Sequence, residues 1–224
     1  LVLDVLPDRN KETLLKWLEE RGIEWCAAVQ FACSDMWDAY QQAAKQKLPN
    51  ARRVVDRFHI MKNLNEALTK ARRTIQKDAD EATRELLKGC RWLVVKNREN
   101  LSEEQEKQLA GMLDASPELK RCYELKESFR GLFNQNLTVK AAEKRLRRWI
   151  AKVEAMPFKA LKSFVATLRN WWEQILNYFD GRFNNGFAEG VNLKIKMLNR
   201  RGYGYRNFSS FRLHVLVAFD PISR

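Results

Sequence analysis

The sequence predicts an α/β domain that is interrupted by a large all-helical insertion. The first 60 or so residues alternate short apolar runs with amphipathic helical stretches, which is typical of strand and helix repeats. The strand signal then disappears from Met61 to Phe179, where helical periodicity has one short interruption. The last segment returns to an amphipathic helix that carries an acid. These observations divide the chain into a first core part, an insertion and a last core part, at residues 1–74, 75–179 and 180–224.

The first core part is expected to alternate three strands with three helices. Asn10 can cap the first helix and Gly22 can end it. Short connections between alternating strands and helices favour a parallel sheet, whose ligands collect at the carboxyl ends of the strands. Asp35 follows the second strand and lies at such an end. The expected elements are a strand at Leu1–Leu6, a helix to Arg21, a strand at Trp25–Ala32, a helix at 36–47, a strand at Arg53–Asp56 and the start of a long helix.

The insertion is predicted to be helical apart from a short β-like piece at Trp92–Val95. Its helix starts are marked by the capping-box pattern from Ser102 to Gln105 and by the Ser116-Pro117 pair. The expected helices are at 60–90, 102–115, 117–132, 138–155 and 158–179, and a final helix is expected at about 209–218.

The composition indicates a partner that carries negative charge. There are 41 Lys and Arg residues against 28 Asp and Glu, a net charge of +13, which favours nucleic acid over an acidic membrane surface. The alternative is that the charge only promotes solubility. The four cysteines contain no CxxC pair, so they indicate neither a structural zinc site nor a disulfide framework, and no apolar run is long enough to span a membrane. Reduced thiols in the cytoplasm are the default expectation.

The stretch from Phe179 to Tyr205 is the most informative part of the sequence. Read as a helix from about Gly186, it places polar and apolar groups on opposite faces because steps of three or four residues return to one side. A lone carboxylate among cations suits a metal ligand beside a phosphate, although a solvated surface helix would show the same pattern. The polar face comprises Asn185, Glu189, Asn192, Lys196 and Arg200.

Two carboxylates from distant parts of the chain can serve one reaction. Phosphoryl transfer with two metal ions needs carboxylates that converge from different elements. Asp35 and Glu189 can meet if the helical insertion is looped out between them. Asp35 could instead cap the helix that follows it.

Three motifs resemble the signatures of bacterial insertion-sequence transposases of the DDE type, specifically the ISL-three family. They are CSDMWDAY at Cys33–Tyr40, LPNARRVVDRFHIMKNLNEALTKARR at Leu48–Arg73 and RFNNGFAEGVNLKIKMLNRRGYGYRNFSSFRLHVL at Arg182–Leu216. The resemblance implies an RNase H-like fold with a helical insertion. It also implies DNA strand cleavage and strand transfer that depend on Mg²⁺ or Mn²⁺ at a two-metal site.

The resemblance assigns roles to several residues. Asp35 corresponds to the second catalytic aspartate and Glu189 to the catalytic glutamate, both as metal ligands. The motif from Asp56 to His59 resembles an aspartate-to-histidine motif of the same families, and these two residues are expected to support the site or contact phosphate, although each could be purely structural. The polar neighbours of Glu189, namely Asn185, Asn192, Lys196 and Arg200, are expected to contact DNA.

One departure from the family pattern concerns the first catalytic aspartate. No residue here matches it, because Leu1–Arg9 resembles the third strand of the fold and its exit. The first two strands and the first acid are therefore expected upstream of residue 1, which would leave this fragment inactive alone. Asp4 is the alternative candidate for the vacant role.

The resemblance also implies the biological setting. The expected partners are double-stranded DNA, comprising the terminal inverted repeats and the target, and further copies of the protein assembled on DNA. No membrane is expected, and the expected location is the bacterial cytoplasm, in association with the nucleoid. Two other functions stay open, a non-catalytic nucleic-acid-binding remnant or regulator and a structure-specific nuclease.

Overall fold

The chain folds into two compact units. The computed structural model describes residues 2–183 and 186–220, with the backbone alone at 187–189. The first unit joins Leu1–Asp56 to Phe183–Arg224, and the second consists of Arg57–Arg182. The chain thus crosses between the units after Asp56 and after Arg182, whereas the sequence placed the corresponding boundaries at 74/75 and 179/180.

The first unit contains a small parallel sheet surrounded by helices. Its sheet pairs strand β1 with strand β2 in parallel, with Phe31 opposite Arg52 and Ser34 opposite Val55. Leu18, Cys26, Ala44 and Leu48 form its buried core. Its elements are α1 (Lys11–Arg21), α2 (Ile23–Ala28), β1 (Phe31–Ser34), α3 (Asp38–Lys47), β2 (Arg52–Val55), α12 (Gly186–Arg201) and α13 (Phe208–Ala218).

One strand prediction in this unit was wrong, and a second was wrong over its first half. The described residues of Leu1–Leu6 form no strand, since the sheet of the described chain has only two members. The first half of Trp25–Ala32 is helical, because Gly22 adopts a positive φ of 84° and starts α2 directly after α1, and only Phe31 and Ala32 belong to β1. This helical turn buries Cys26, whose thiol donates to the Leu18 carbonyl at 3.3 Å.

The second unit is helical throughout its length. The capping box between Ser102 and Gln105 and the Ser116 cap are present, as the sequence predicts. The predicted β-like piece at Trp92–Val95 is helical instead, and this helical turn buries Leu93 and Val94. The elements are α4 (Arg57–Asp78), α5 (Glu81–Leu86), α6 (Arg91–Val95), a 3₁₀ turn (Arg98–Asn100), α7 (Glu103–Ala115), α8 (Pro117–Asn134), α9 (Val139–Glu154), α10 (Lys159–Asn170) and α11 (Trp172–Gly181).

Aromatic side chains fill the core of the second unit around Phe129. The Phe129 ring lies 4.7 Å from the ring of Trp149, 5.2 Å from that of Phe133 and 5.5 Å from that of Phe164, measured between centroids. Such offset and edge contacts add to the free energy of burying the rings. These rings join α8, α9 and α10 into one packed bundle.

Two arginines hold the ends of the second unit at the end of α8. Arg57, the first residue of the unit, donates from Nη2 to the side-chain oxygen of Asn134 at 2.5 Å. Arg182, the last residue, donates to the carbonyl oxygens of Phe133 at 2.7 Å and Gln135 at 2.6 Å. Arginines at a helix C-terminus satisfy carbonyls that have no partner within the helix. Both points at which the chain leaves the second unit are therefore attached to the same helix end.

Candidate metal centre and the groove beside it

The parallel pairing of β1 and β2 brings Asp35 and Asp56 to the same edge of the sheet. Asp35 directly follows β1 and Asp56 directly follows β2. The pairing extends one step beyond the strands, since the Asp56 N–H donates to the Ser34 carbonyl at 2.9 Å. His59 lies in the first turn of α4, three residues after Asp56, so the local backbone determines its position relative to that aspartate.

These three side chains form a cluster of metal-ligand type. One ligand atom from each of Asp35, Asp56 and His59 lies within 4.8 Å of the other two. Asp56 is buried, whereas the other two are half-buried. Octahedral ligands about 2.1 Å from Mg²⁺ are at most about 4.2 Å apart, so the separations in this cluster are close to those of ligands that share one ion.

The chemistry of the donor set fits a divalent cation. Two carboxylates supply the oxygen ligands that Mg²⁺ and Mn²⁺ prefer, and an imidazole nitrogen is better suited to transition metals than to Mg²⁺. Direct ligation by His59 would thus favour Mn²⁺. If His59 instead orients one of the carboxylates, the set suits Mg²⁺ equally well.

The pKa of the Cys33 thiol reflects the negative charge of this cluster. Burial raises its pKa to about 12, and the negative charges of Asp56 and Asp35 add to that increase. Both carboxylates therefore act on the same small volume beside β1. A site with this potential attracts cations.

An open groove of about 880 Å³ in the first unit runs past Asp35. Asp35 lines one part of it, and Val191, Asn192 and Ile195 of α12 line another. Val191 and Ile195 are half-buried, whereas Asn192 is exposed. The predicted apolar and polar faces of α12 thus differ in burial at these three positions, although the apolar Leu193 and Met197 of the same helix are exposed.

The structure brings some of the predicted site residues together and leaves others apart. Asp35 shares the groove with Asn192, and it shares the metal-ligand cluster with Asp56 and His59. Further along α12, Lys196 and Arg200 are exposed and do not belong to the described lining of the groove. The remaining two predicted residues, the side chain of Glu189 and all of Asn185, lie outside the described residues.

Asp4 is bound by donors that favour a structural role. Its carboxylate accepts from Trp17 Nε1 at 2.8 Å and from Arg212 Nε and Nη2 at 2.6 and 3.0 Å. The hydrogen bond from Arg212 is the main reason why the pKa of Asp4 is lowered. A carboxylate oxygen that accepts from such donors is poorly placed to bind a metal ion.

The partner of Asp4 could not be found from the sequence. Arg212 lies on α13, 208 residues away, and no local pattern signals such a contact. Asp4 thus connects the beginning of the described chain to its last helix.

The comparison with known proteins decides the family. A family model for DDE transposases of the ISL3 (ISL-three) type, described as a transposase, matches residues 1–215. The chain belongs to the ISL3 transposase family. The resemblance seen in the three sequence motifs is thereby confirmed.

Relatives of this ISL3 transposase chain come from two bacteria. It is 29% identical over 226 residues to the transposase for insertion sequence element IS1001 of Bordetella parapertussis, an alignment that covers 100% of the chain and 55% of that protein. Transposases for element IS1557 in two Mycobacterium tuberculosis strains are 28% identical, over 90% of the chain and 50% of each relative. The chain therefore spans about half the length of the curated relatives it matches.

Two further comparisons bear on the fold and on membranes. No solved structure matches the chain, so the RNase H-like fold stays a prediction. Among the described residues, none of the helices has the length and apolar character needed to cross a lipid bilayer.

Proposed function

We propose that this chain carries part of the catalytic centre of a DNA transposase that cleaves and joins DNA strands with divalent metal ions. The observation that supports the proposal is the cluster of Asp35, Asp56 and His59 in a chain of the ISL3 transposase family. The chemistry of the cluster and the family point to the same reaction class. The substrate would be the ends of an insertion sequence and its target DNA, in the bacterial cytoplasm.

Asp35 and Glu189 are the proposed metal ligands. Bound divalent ions would activate the attacking hydroxyl and neutralise the charge that develops on the phosphate. Asp35 stands at the carboxyl end of β1, and Glu189 lies on α12 one turn before Asn192, which borders the same groove as Asp35. A third carboxylate would complete this centre within an RNase H-like core.

Asp56 and His59 are proposed to support Asp35. The buried Asp56 lies in the same cluster as Asp35, and the half-buried His59 can donate to a carboxylate or contact phosphate. Residues that orient metal ligands typically change metal affinity or activity by about 10- to 100-fold when they are replaced. We expect His59→Gln to lower metal affinity or nicking activity by about 10- to 100-fold. Replacement of a direct metal ligand should lower them further.

Metal binding and DNA nicking test the proposal together. The longest natural protein that carries this sequence would be compared with its Asp35→Asn and Glu189→Gln variants, using Mn²⁺ binding by electron paramagnetic resonance and nicking of a duplex that carries the ends of the element. Asp38→Asn is the matched control, because Asp38 is an exposed aspartate three residues away.

The expected result is weaker Mn²⁺ binding and lost nicking in both test variants, with the control unchanged. If Asp35→Asn binds Mn²⁺ and nicks DNA like the wild type, the proposed centre is wrong. DNA binding without nicking in the wild type would instead favour the non-catalytic regulator.

A further inference from the structure

The outer face of α9 carries a row of four exposed cations, Lys140, Lys144, Arg148 and Lys152, called the α9 row below. In the part of the chain that the structure describes, none of the four forms an ion pair or a side-chain hydrogen bond. The other two cations on the same helix differ. Arg147 pairs with Glu143 at 2.8 Å, and Arg145 bonds to Gln135.

The spacing of the α9 row places all four charges opposite the buried face of the helix. Successive members are four residues apart, so the row turns by about 40° per step and extends over about 18 Å. The side chains that α9 buries are Ala142, Leu146, Trp149, Ile150 and Val153, and these fall on the other side of the helix. The row therefore presents a single, continuous cationic surface.

The α9 row is unfavourable for the isolated helix. Like charges four residues apart on a helix repel and destabilise it, and the row contains three such neighbouring pairs. No acid is interleaved within the row to offset the repulsion, since the acid of this helix nearest to it, Glu143, pairs with Arg147. An anionic partner would remove this repulsion.

The surroundings of the α9 row favour a nucleic acid over a membrane. A helix that binds a lipid surface inserts an exposed apolar face, whereas the apolar face of α9 is buried in the second unit. A span of about 18 Å matches about five phosphates along one strand of B-form DNA, which are about 3.4 Å apart along the axis.

We propose that the α9 row binds the phosphate backbone of duplex DNA. The inference rests on the proposed function, because it supplies a second contact for the DNA that the metal centre would cut. A row of point charges that contacts phosphates holds DNA without reading its sequence. It thus positions the duplex, whichever terminal repeat is recognised elsewhere.

The salt dependence of DNA binding tests the α9 row. The full chain would be titrated with a fluorescent 20-base-pair duplex at several salt concentrations, as the wild type and with all four row residues changed to Gln. The matched control changes Lys77, Lys88, Lys107 and Arg121 to Gln, exposed cations of the same unit on four separate segments. Both variants then carry the same net charge, 13 − 4 = +9.

Each phosphate contact contributes about 0.9 to the slope of log affinity against log salt concentration. We expect the row variant to lose up to about 3.6 from this slope and the control less than about 1. The row variant should unfold at no lower temperature than the wild type, because it loses only repulsion. Equal slopes in the two variants would overturn the proposal. It would also be overturned if the row were needed for binding to phosphatidylserine vesicles and not for binding to the duplex. If the row variant has a changed slope but the wild type nicks no DNA, the proposed metal centre is wrong and the DNA contact of the α9 row is still supported.

Discussion

Replacing Lys126 with methionine tests whether the hydrogen bonds of its buried ammonium group stabilise the second unit. The Lys126 side chain is fully buried on α8, and Nζ donates to the carbonyl oxygens of Val94 at 3.0 Å and Lys96 at 2.7 Å. It also lies 2.7 Å from a carboxylate oxygen of Glu127. The ammonium group therefore satisfies the carbonyls where α6 ends, which no backbone N–H of α6 can reach.

The expected loss of stability follows from the groups that Lys126→Met would leave without partners. Each buried carbonyl that loses its donor costs about 1–3 kcal/mol. Glu127 keeps its contact with Arg130 at 2.8 Å, so it does not become an isolated charge. Removing one member of a buried ion pair typically costs about 3–5 kcal/mol, and we expect a decrease of that size in the free energy of unfolding.

Urea unfolding measures this effect. Tryptophan fluorescence is a suitable signal because the buried Trp149 donates from its indole to the Leu125 carbonyl at 2.8 Å, next to Lys126. Lys120→Met is the matched control, since Lys120 lies on the same helix but is exposed, with only a surface contact to Asp114 at 3.2 Å. The control should change stability by less than about 0.5 kcal/mol. A loss below about 1 kcal/mol in Lys126→Met, or one equal to that of the control, would refute the reasoning.

The same residue should give the wild type a characteristic pH dependence. Burial lowers the pKa of Lys126 below its ordinary value of 10.5. At pH values between the lowered pKa of the folded state and 10.5, the unfolded chain binds more protons at this residue than the folded chain. The free energy of unfolding should therefore rise with pH in that window. The free energy of unfolding of Lys126→Met relative to wild type should therefore fall further as the pH increases towards 10.5. A difference that is flat over this range would show that the lysine is not desolvated.

Three further predictions concern other parts of the molecule. Asp4→Asn should lower the temperature of thermal unfolding at pH 7, and this difference should disappear as the pH falls through the lowered pKa of Asp4, since protonation breaks the same contact with Arg212. Iodoacetamide should alkylate Cys33 at pH 9 at least about tenfold more slowly than a free thiol, and Asp56→Asn should speed the reaction by removing a charge that raises the Cys33 pKa. Arg182→Gln should lower the free energy of unfolding by about 1–2 kcal/mol in urea titrations, because two carbonyls at the end of α8 lose their donor; an unchanged midpoint would exclude that role.

Much of the secondary structure was predictable because its signals are local. Asn10 and Gly22 flank α1, Ser102 caps α7 with Gln105, and Ser116 precedes the proline that begins α8. Each signal is complete within about four residues, so its meaning does not depend on the rest of the chain. The carboxyl ends of β1 and β2 were predictable for the same reason, and with them the positions of the two aspartates of the candidate site.

Short apolar runs were where prediction from the sequence failed. Trp25–Ala32 and Trp92–Val95 were predicted as strands, yet the structure forms α2 across the first half of the first run and α6 across the second. A run of this length lacks enough residues to distinguish a period of 2 from one of 3.6. Packing decides between them: α2 buries Cys26 against Leu18, and α6 buries Leu93 and Val94.

By itself, the sequence determined the family, the charge and the candidate catalytic residues, because motifs and cap signals depend only on neighbouring residues. The tertiary structure alone showed that Asp35 meets Asp56 and His59, that Arg212 binds Asp4 and that Lys126 is buried against α6. These contacts arise only after distant segments have packed, so no pattern of adjacent residues encodes them.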